Sequence, residues 1–104
     1  MVGAFYGTSN YRKFIDGIQG LVDLVEPVGV FAGDNLFTYS RNLSFLHEDE
    51  FVAAFERHTS TKTEKSLAWR FHTLCWAARR GLALDGDLVE CACYKGTSAR
   101  IVAD

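Results

Sequence analysis

The residues best able to do chemistry in this sequence are gathered between positions 90 and 98. Glu90 interrupts the short apolar run of residues 87–93, and Gly96, Thr97 and Ser98 follow it. A carboxylate in apolar surroundings needs a partner. A glycine and two hydroxyls at the start of a helix can hold an anionic group through backbone N–H groups. Together these residues suit a ligand that carries both an ammonium and a carboxylate.

The elements that must position these residues are a strand, a loop and a helix. After a turn at Asp85-Gly86, residues 87–93 have the composition of a strand, residues 94–98 that of a tight turn, and residues 99–104 that of a helix. A strand that is apolar on both faces belongs in the middle of a parallel sheet. Ligands of open α/β sheets bind where such a strand leads into the next helix. The sequence therefore predicts the opening unit of an α/β fold with its ligand site in the loop.

That strand needs neighbours to complete a sheet. A parallel strand requires a crossover of about a dozen residues and a second strand beside it. The other strand candidates, residues 28–31 and 37–39, are too short to build a sheet around residues 87–93. We expect the missing cover to come from polypeptide beyond Asp104 or from a second copy of the chain, and the first of these is favoured.

The sequence before this unit is mostly helical in pattern. The predicted helices cover residues 11–26, 35–41, 48–58 and 61–81. Thr61 and Glu64 fit a capping box, and Gly81 is placed as a C-terminal stop, so the last of these helices is the best specified. Pro27 ends the first helix. The helix over 35–41 is favoured although the apolar period of residues 36–46 is ambiguous. The chain thus divides into a helical lead-in, residues 1–81, and an α/β opening, residues 82–104.

Length and charge limit the function classes. The chain has 104 residues and a net charge of −2, which suits one small domain and offers no basic stripe for a nucleic acid. No apolar run reaches the roughly 18–20 residues of a membrane span, and the first residues do not resemble a signal peptide. We therefore expect a cytoplasmic protein that binds neither a nucleic acid nor a membrane.

The three cysteines, Cys75, Cys91 and Cys93, are too few for a disulfide framework. Free thiols in a reducing compartment are the simpler interpretation. The Cys91-x-Cys93 pair with His72 could in principle bind zinc, but a structural site needs four ligands, so buried packing roles are favoured. The histidines are interpreted as surface or packing residues.

The segment GDLVECACYKGTS, residues 86–98, resembles the first cofactor motif of the macrocin O-methyltransferase family. That family is a branch of the class I S-adenosylmethionine (SAM)-dependent methyltransferases. Its pattern runs Gly-Asp, two aliphatics, Glu, any residue, Gly, a small residue, an aromatic, a basic residue, Gly, any residue and Ser. Ala92 stands where the pattern has Gly. Residues 34–36 and 41–46, with Phe51 and Ala54, are more loosely similar to the helical lead-in of such enzymes.

The resemblance implies a Rossmann-like methyltransferase fold, of which this chain holds the portion up to and including the first strand, loop and helix start. It implies that Glu90, Gly96 and Ser98 contact the methionyl part of SAM and that the loop 92–96 wraps it. The residues expected to bind the cofactor are Glu90, Ala92, Tyr94, Lys95, Gly96, Thr97 and Ser98.

The resemblance also places the ribose-binding acid, the catalytic base and any divalent metal ligands further along the chain. The 104 residues alone are therefore expected to be inactive, and the expected reaction is methylation of a small-molecule hydroxyl. The alternative function is a non-catalytic helical remnant or oligomerisation module that does not bind SAM.

Overall fold

The computed structural model describes residues 2–26, 29–91 and 93–104. In chain order, its elements are α1 (Tyr11–Asp23), β1 (Val30–Gly33), β2 (Leu36–Tyr39), a 3₁₀ turn (Ser44–His47), α2 (Asp49–His58), α3 (Lys62–Lys65), α4 (Ala68–Gly81) and α5 (Thr97–Ala103). The chain forms two compact units. The first contains the described residues up to Ser44 together with Thr61–Leu67, and the second contains those of Phe45–Ser60 and Ala68–Asp104. No helix in the described ranges is long and apolar enough to cross a membrane.

The first helix of the first unit forms as its sequence predicts. The Asn10 side chain accepts a hydrogen bond of 3.0 Å from the Lys13 backbone N–H and so caps α1. The helix ends at Asp23, somewhat before the predicted end at residue 26, and Pro27 lies outside the described residues. The core of this unit is formed by Val2, Phe5 and Ala32, with Ile15, Ile18, Val22 and Phe37 packed against it.

Residues 35–41 form a strand and a bend, so the prediction of a short helix there is wrong. β1 pairs antiparallel with β2, with Gly33 opposite Leu36, and this register leaves Asp34 and Asn35 as a two-residue turn. Their φ angles are 53° and 58°, which is the left-handed backbone conformation. A two-residue hairpin turn needs this conformation to match the right-handed twist of the strands that it joins. Asp and Asn adopt this conformation more readily than most residues. Turn chemistry therefore decides the structure of this segment.

The helix predicted over residues 61–81 is interrupted. The capping box is confirmed: Glu64 N–H donates to Thr61 Oγ1 at 3.1 Å, and Thr61 N–H donates to Glu64 Oε2 at 3.0 Å. However, α3 ends at Lys65 and α4 starts at Ala68. Ser66 donates its hydroxyl to the Thr63 carbonyl at 2.7 Å, a local side-chain bond that competes with helix continuation. The predicted end at Gly81 is confirmed.

The second unit is built on aromatic residues of α2 and α4. The helix predicted from the acidic run to His58 is confirmed as α2, with Asp49 and Glu50 in its first turn. The described buried apolar residues of the second unit are Phe45, Phe51, Ala54, Phe55, Ala68, Phe71, Cys75 and Ile101. The Phe51 and Phe55 rings stack with centroids 5.6 Å apart, and Phe55 lies 6.0 Å from Phe71. α5 packs against α2 and α4 with Ile101 as its one buried residue.

Residues 87–91 and 93 have no regular secondary structure, which differs from the strand predicted over 87–93. Ala92 lies outside the described residues. A β-strand is held in place by hydrogen bonds to a neighbouring strand, and no described residue pairs with this segment. Leu88 and Val89 are 61% and 84% exposed. The loop and the helix that were predicted to follow the strand are both formed.

Candidate functional site

The loop between residue 93 and α5 turns sharply into the helix. The Gly96 N–H donates to the Cys93 carbonyl at 2.8 Å, and this bond closes a turn over residues 93–96. Tyr94 and Gly96 both have left-handed backbone conformations, with φ angles of 48° and 74°. Gly96 is the N-cap of α5, and its carbonyl accepts from the Arg100 N–H at 3.0 Å. The tight turn predicted for residues 94–98 is thus present, with a glycine at the position that favours it.

Two of the predicted site residues meet across this loop. The Ser98 hydroxyl donates a hydrogen bond to Oε1 of Glu90. Glu90 is exposed and Ser98 is half-buried, so water and small ligands can reach this pair. A carboxylate that accepts one hydrogen bond from a hydroxyl still has lone pairs that can accept a hydrogen bond from an ammonium group.

A groove of about 620 Å³ in the second unit lies beside this pair. Its volume falls within the range of small-molecule sites. The described lining residues are Leu74, Ala77, Ala78, Leu88, Val89, Glu90, Cys91, Ser98, Ala99, Val102 and Ala103. Among the described residues, the groove therefore combines an apolar wall with the carboxylate of Glu90 and the hydroxyl of Ser98.

The other predicted site residues are placed differently. Tyr94 is 89% exposed, and the Lys95 ammonium lies 5.5 Å from the centre of the Tyr94 ring. Gly96 and Thr97 precede Ser98 in the chain. Within the described part of the molecule, neither of them lines the groove, and neither do Tyr94 and Lys95. The structure thus brings Glu90 and Ser98 together and leaves the tip of the loop in solvent.

Gly96 leaves open space beside the loop. A Cβ built on Gly96 has no heavy atom of the described residues within 4 Å. A ligand group could therefore approach the backbone at this point more closely than a side chain would allow. An ammonium beside Glu90 and a carboxylate near the loop N–H groups are compatible with the residues present.

The cysteines occupy two kinds of environment. Cys75 is buried, and this burial raises the pKa of its thiol above the ordinary value of 9.0, although the nearby Arg79 acts in the opposite direction. Cys91 and Cys93 are exposed free thiols, so the buried packing role predicted for them is not found. Within the described ranges, no group of three or more His, Cys, Asp or Glu side chains is arranged to hold a metal ion.

Two charged clusters were not predicted from the sequence. His58 Nε2 lies 3.0 Å from Oδ2 of Asp104, and the Arg57 guanidinium contacts the same carboxylate oxygen. His72 Nε2 lies 3.1 Å from Oε2 of Glu48. The partners in each cluster are far apart in sequence, so no local spacing could have indicated them.

Comparison with protein-family models finds no match to this chain, and neither does comparison with curated proteins or with solved structures.

Proposed function

We propose that residues 82–104 form the opening part of the SAM site of a class I methyltransferase similar to the macrocin O-methyltransferase family. The observation that carries the proposal is the meeting of Glu90 and Ser98 at the mouth of a loop whose sequence resembles that family's cofactor motif. The acceptor is a small molecule with a hydroxyl group.

In this proposal, each residue binds one part of the methionyl group. The Glu90 carboxylate takes the ammonium. The Ser98 hydroxyl has one proton, so on binding it exchanges its hydrogen bond to Glu90 for one to the ligand carboxylate, which the backbone N–H groups of the loop also bind. Gly96 allows the ligand to approach the backbone. Bound SAM supplies an electrophilic methyl group on its sulfonium. The ribose-binding acid, the base and any divalent metal ligands are assigned to sequence outside these residues, so the 104-residue chain by itself is proposed to be inactive.

The exposure of Leu88 and Val89 is a second observation that supports the proposal. Both are branched apolar residues in a segment that no described strand pairs with, and both are more than half exposed. Such residues suit a strand that other strands and helices cover in a larger α/β sheet. The proposal includes a cytoplasmic location, because the exposed thiols of Cys91 and Cys93 persist in a reducing compartment.

The first experiment determines the intact mass of the native gene product from its source. A mass well above 11.6 kDa is expected, because the remaining site residues must be supplied elsewhere. Calorimetric titration of that protein with SAM and with S-adenosylhomocysteine then tests cofactor binding. Glu90→Gln is expected to weaken binding of both ligands, since both carry the methionyl ammonium.

Asp85→Asn is the matched control for that substitution. Asp85 is also exposed and lies in the same segment, but it precedes the motif of residues 86–98. It is expected to leave affinity unchanged. Unaltered binding after Glu90→Gln, or no binding by the unsubstituted protein, would contradict the SAM assignment.

A homo-oligomeric module that does not bind SAM is the second candidate function. Exposed apolar residues of the second unit favour it, among them Leu74, Trp76, Leu82, Leu84, Leu88 and Val89. Apolar surface of this kind is typical of protein interfaces. Sedimentation equilibrium of the 104-residue chain tests this candidate. Association that Leu88→Ser abolishes, and that Leu24→Ser in the first unit does not, would favour it.

A further inference from the structure

The carboxylate of Asp104 connects the end of α5 to the end of α2. Asp104 directly follows α5, while Arg57 and His58 are the last two residues of α2. The Arg57 guanidinium and His58 Nε2 both contact Oδ2 of Asp104. The side chains of Asp104 and His58 are 26% and 20% exposed and that of Arg57 is 60% exposed, so the cluster is partly open to solvent.

Basic residues at the end of a helix have an ordinary explanation, because they complement the negative end of the helix dipole. This explanation applies equally to Arg79 and Arg80 at the end of α4. It does not account for two basic side chains that converge on a single carboxylate oxygen of another helix. The contact with Asp104 therefore has a separate structural consequence.

That consequence concerns how α5 is held against α2, with which it is in contact. Ile101 is its one buried side chain. Near the other end of α5, Gly96 caps the helix and Ser98 bonds to Glu90. A change in how α5 lies on α2 would therefore move the loop of residues 93–96 and the Glu90–Ser98 pair.

We infer that Arg57 and His58 are positioning residues, which hold α5 through Asp104 and so fix the Glu90–Ser98 pair beside the loop. Neither side chain contacts the pair itself. The relevance of this arrangement to SAM binding rests on the proposed function, whereas the positioning of α5 does not.

The test is amide hydrogen exchange and amide chemical shifts of the 104-residue chain, measured by NMR. Arg57→Gln and Asp104→Asn are each expected to accelerate exchange at residues 101–103 roughly three- to fivefold, the effect of losing one partly exposed ion pair. The amide shifts of Gly96 and Ser98 are expected to move as well. The double variant is expected to add little to Asp104→Asn alone, because that substitution already removes the carboxylate that Arg57 contacts.

Arg80→Gln is the control, since Arg80 is also a basic residue in the last turn of a helix but lies over the Trp76 ring instead. It is expected to leave α5 unchanged, and Arg57→Lys is expected to restore part of the protection. Unchanged exchange in α5, or equal acceleration in α4 and α5, would overturn the inference. Failure of the native gene product to bind SAM would instead contradict the proposed function and leave the exchange result standing.

Discussion

The Ser98 hydroxyl donates a hydrogen bond to the carboxylate of Glu90 and so joins the segment before the loop to the first turn of α5. A hydrogen bond to an ionised acceptor is stronger than one between neutral groups. The bond also keeps the Glu90 carboxylate close to the loop backbone. A ligand with an ammonium and a carboxylate would use both partners of this bond.

The first prediction compares how much Glu90 and Ser98 each contribute to the affinity for SAM. Glu90→Gln keeps an oxygen that can accept from Ser98 but removes the charge, so SAM affinity of the native gene product is expected to fall roughly 10- to 100-fold. Ser98→Ala removes one of several donors to the ligand carboxylate, and a fall of roughly 3- to 10-fold is expected because the loop N–H groups still bind that carboxylate. Calorimetric titration measures both. A larger loss for Ser98→Ala than for Glu90→Gln would assign the main anchor to the hydroxyl.

The second prediction uses two glycines with the same backbone conformation. Gly96 and Gly7 have φ angles of 74° and 75°, and among the residues that the structure describes, no heavy atom lies within 4 Å of a Cβ at either position. Substitution by Ala is therefore expected to cost about 1–2 kcal/mol of stability at each position, through the left-handed backbone alone. Urea denaturation followed by circular dichroism measures this cost.

Only Gly96→Ala is expected to weaken SAM binding, because only Gly96 lies in the proposed loop. Gly7→Ala is thus the matched control for the conformational cost. Equal affinities of the two variants for SAM would place the cofactor elsewhere.

The helix ends could be predicted from the sequence because their interactions are local. Asn10 bonds to Lys13, and Thr61 bonds to Glu64, each three positions away. The hairpin turn at Asp34-Asn35 was equally local, and its residue types favour the left-handed conformation. The ambiguous apolar period of the residues after it led instead to the prediction of a helix.

The candidate site likewise combines a contact that is local in sequence with one between residues far apart in the chain. The Glu90–Ser98 pair lies within one strand-like segment, loop and helix, so spacing alone could indicate it. The contact of Arg57 with Asp104 joins residues 47 positions apart and depends on how α5 packs on α2. The apolar composition of residues 87–93 indicates a strand, but composition cannot supply the neighbouring strand that would complete it.

The third prediction concerns the Asn35 side chain, which pairs with the backbone of Tyr6. Its Oδ1 accepts from the Tyr6 N–H at 2.6 Å, and its Nδ2 donates to the Tyr6 carbonyl at 3.2 Å. Asn35→Gly retains the left-handed turn but loses both bonds, so a cost of about 1–2 kcal/mol is expected. Asn35→Ala also strains the backbone and is expected to cost about 1–2 kcal/mol more.

Urea denaturation measures whether Asn35→Ala loses more stability than Asn35→Gly. Hydrogen exchange at the Tyr6 amide measures the loss of its bond in each variant. Wild-type stability in Asn35→Gly would mean that the pairing with Tyr6 contributes nothing measurable.

The fourth prediction follows from the burial of Cys75, which raises the pKa of its thiol. The thiolate is the reactive form, so a raised pKa leaves less of it at a given pH. At pH 8, iodoacetamide is expected to modify Cys91 and Cys93 first. Cys75 is expected to react at least about tenfold more slowly, since burial also limits access of the reagent to its thiol. In urea the three rates are expected to converge. Mass spectrometry of peptides from timed reactions measures each rate.

The same raised pKa predicts how stability depends on pH. The folded state retains the Cys75 proton at pH values where the unfolded state loses it, so the folded state then binds more protons. The contribution of Cys75 to the free energy of unfolding is therefore full below the ordinary thiol pKa of 9.0 and decreases as the pH rises above it. Cys75→Ala is expected to show a weaker decrease over that range, whereas Cys91→Ala is expected to behave like the wild type. Identical pH profiles for Cys75→Ala and the wild type would show that burial of this thiol has no effect on its ionisation.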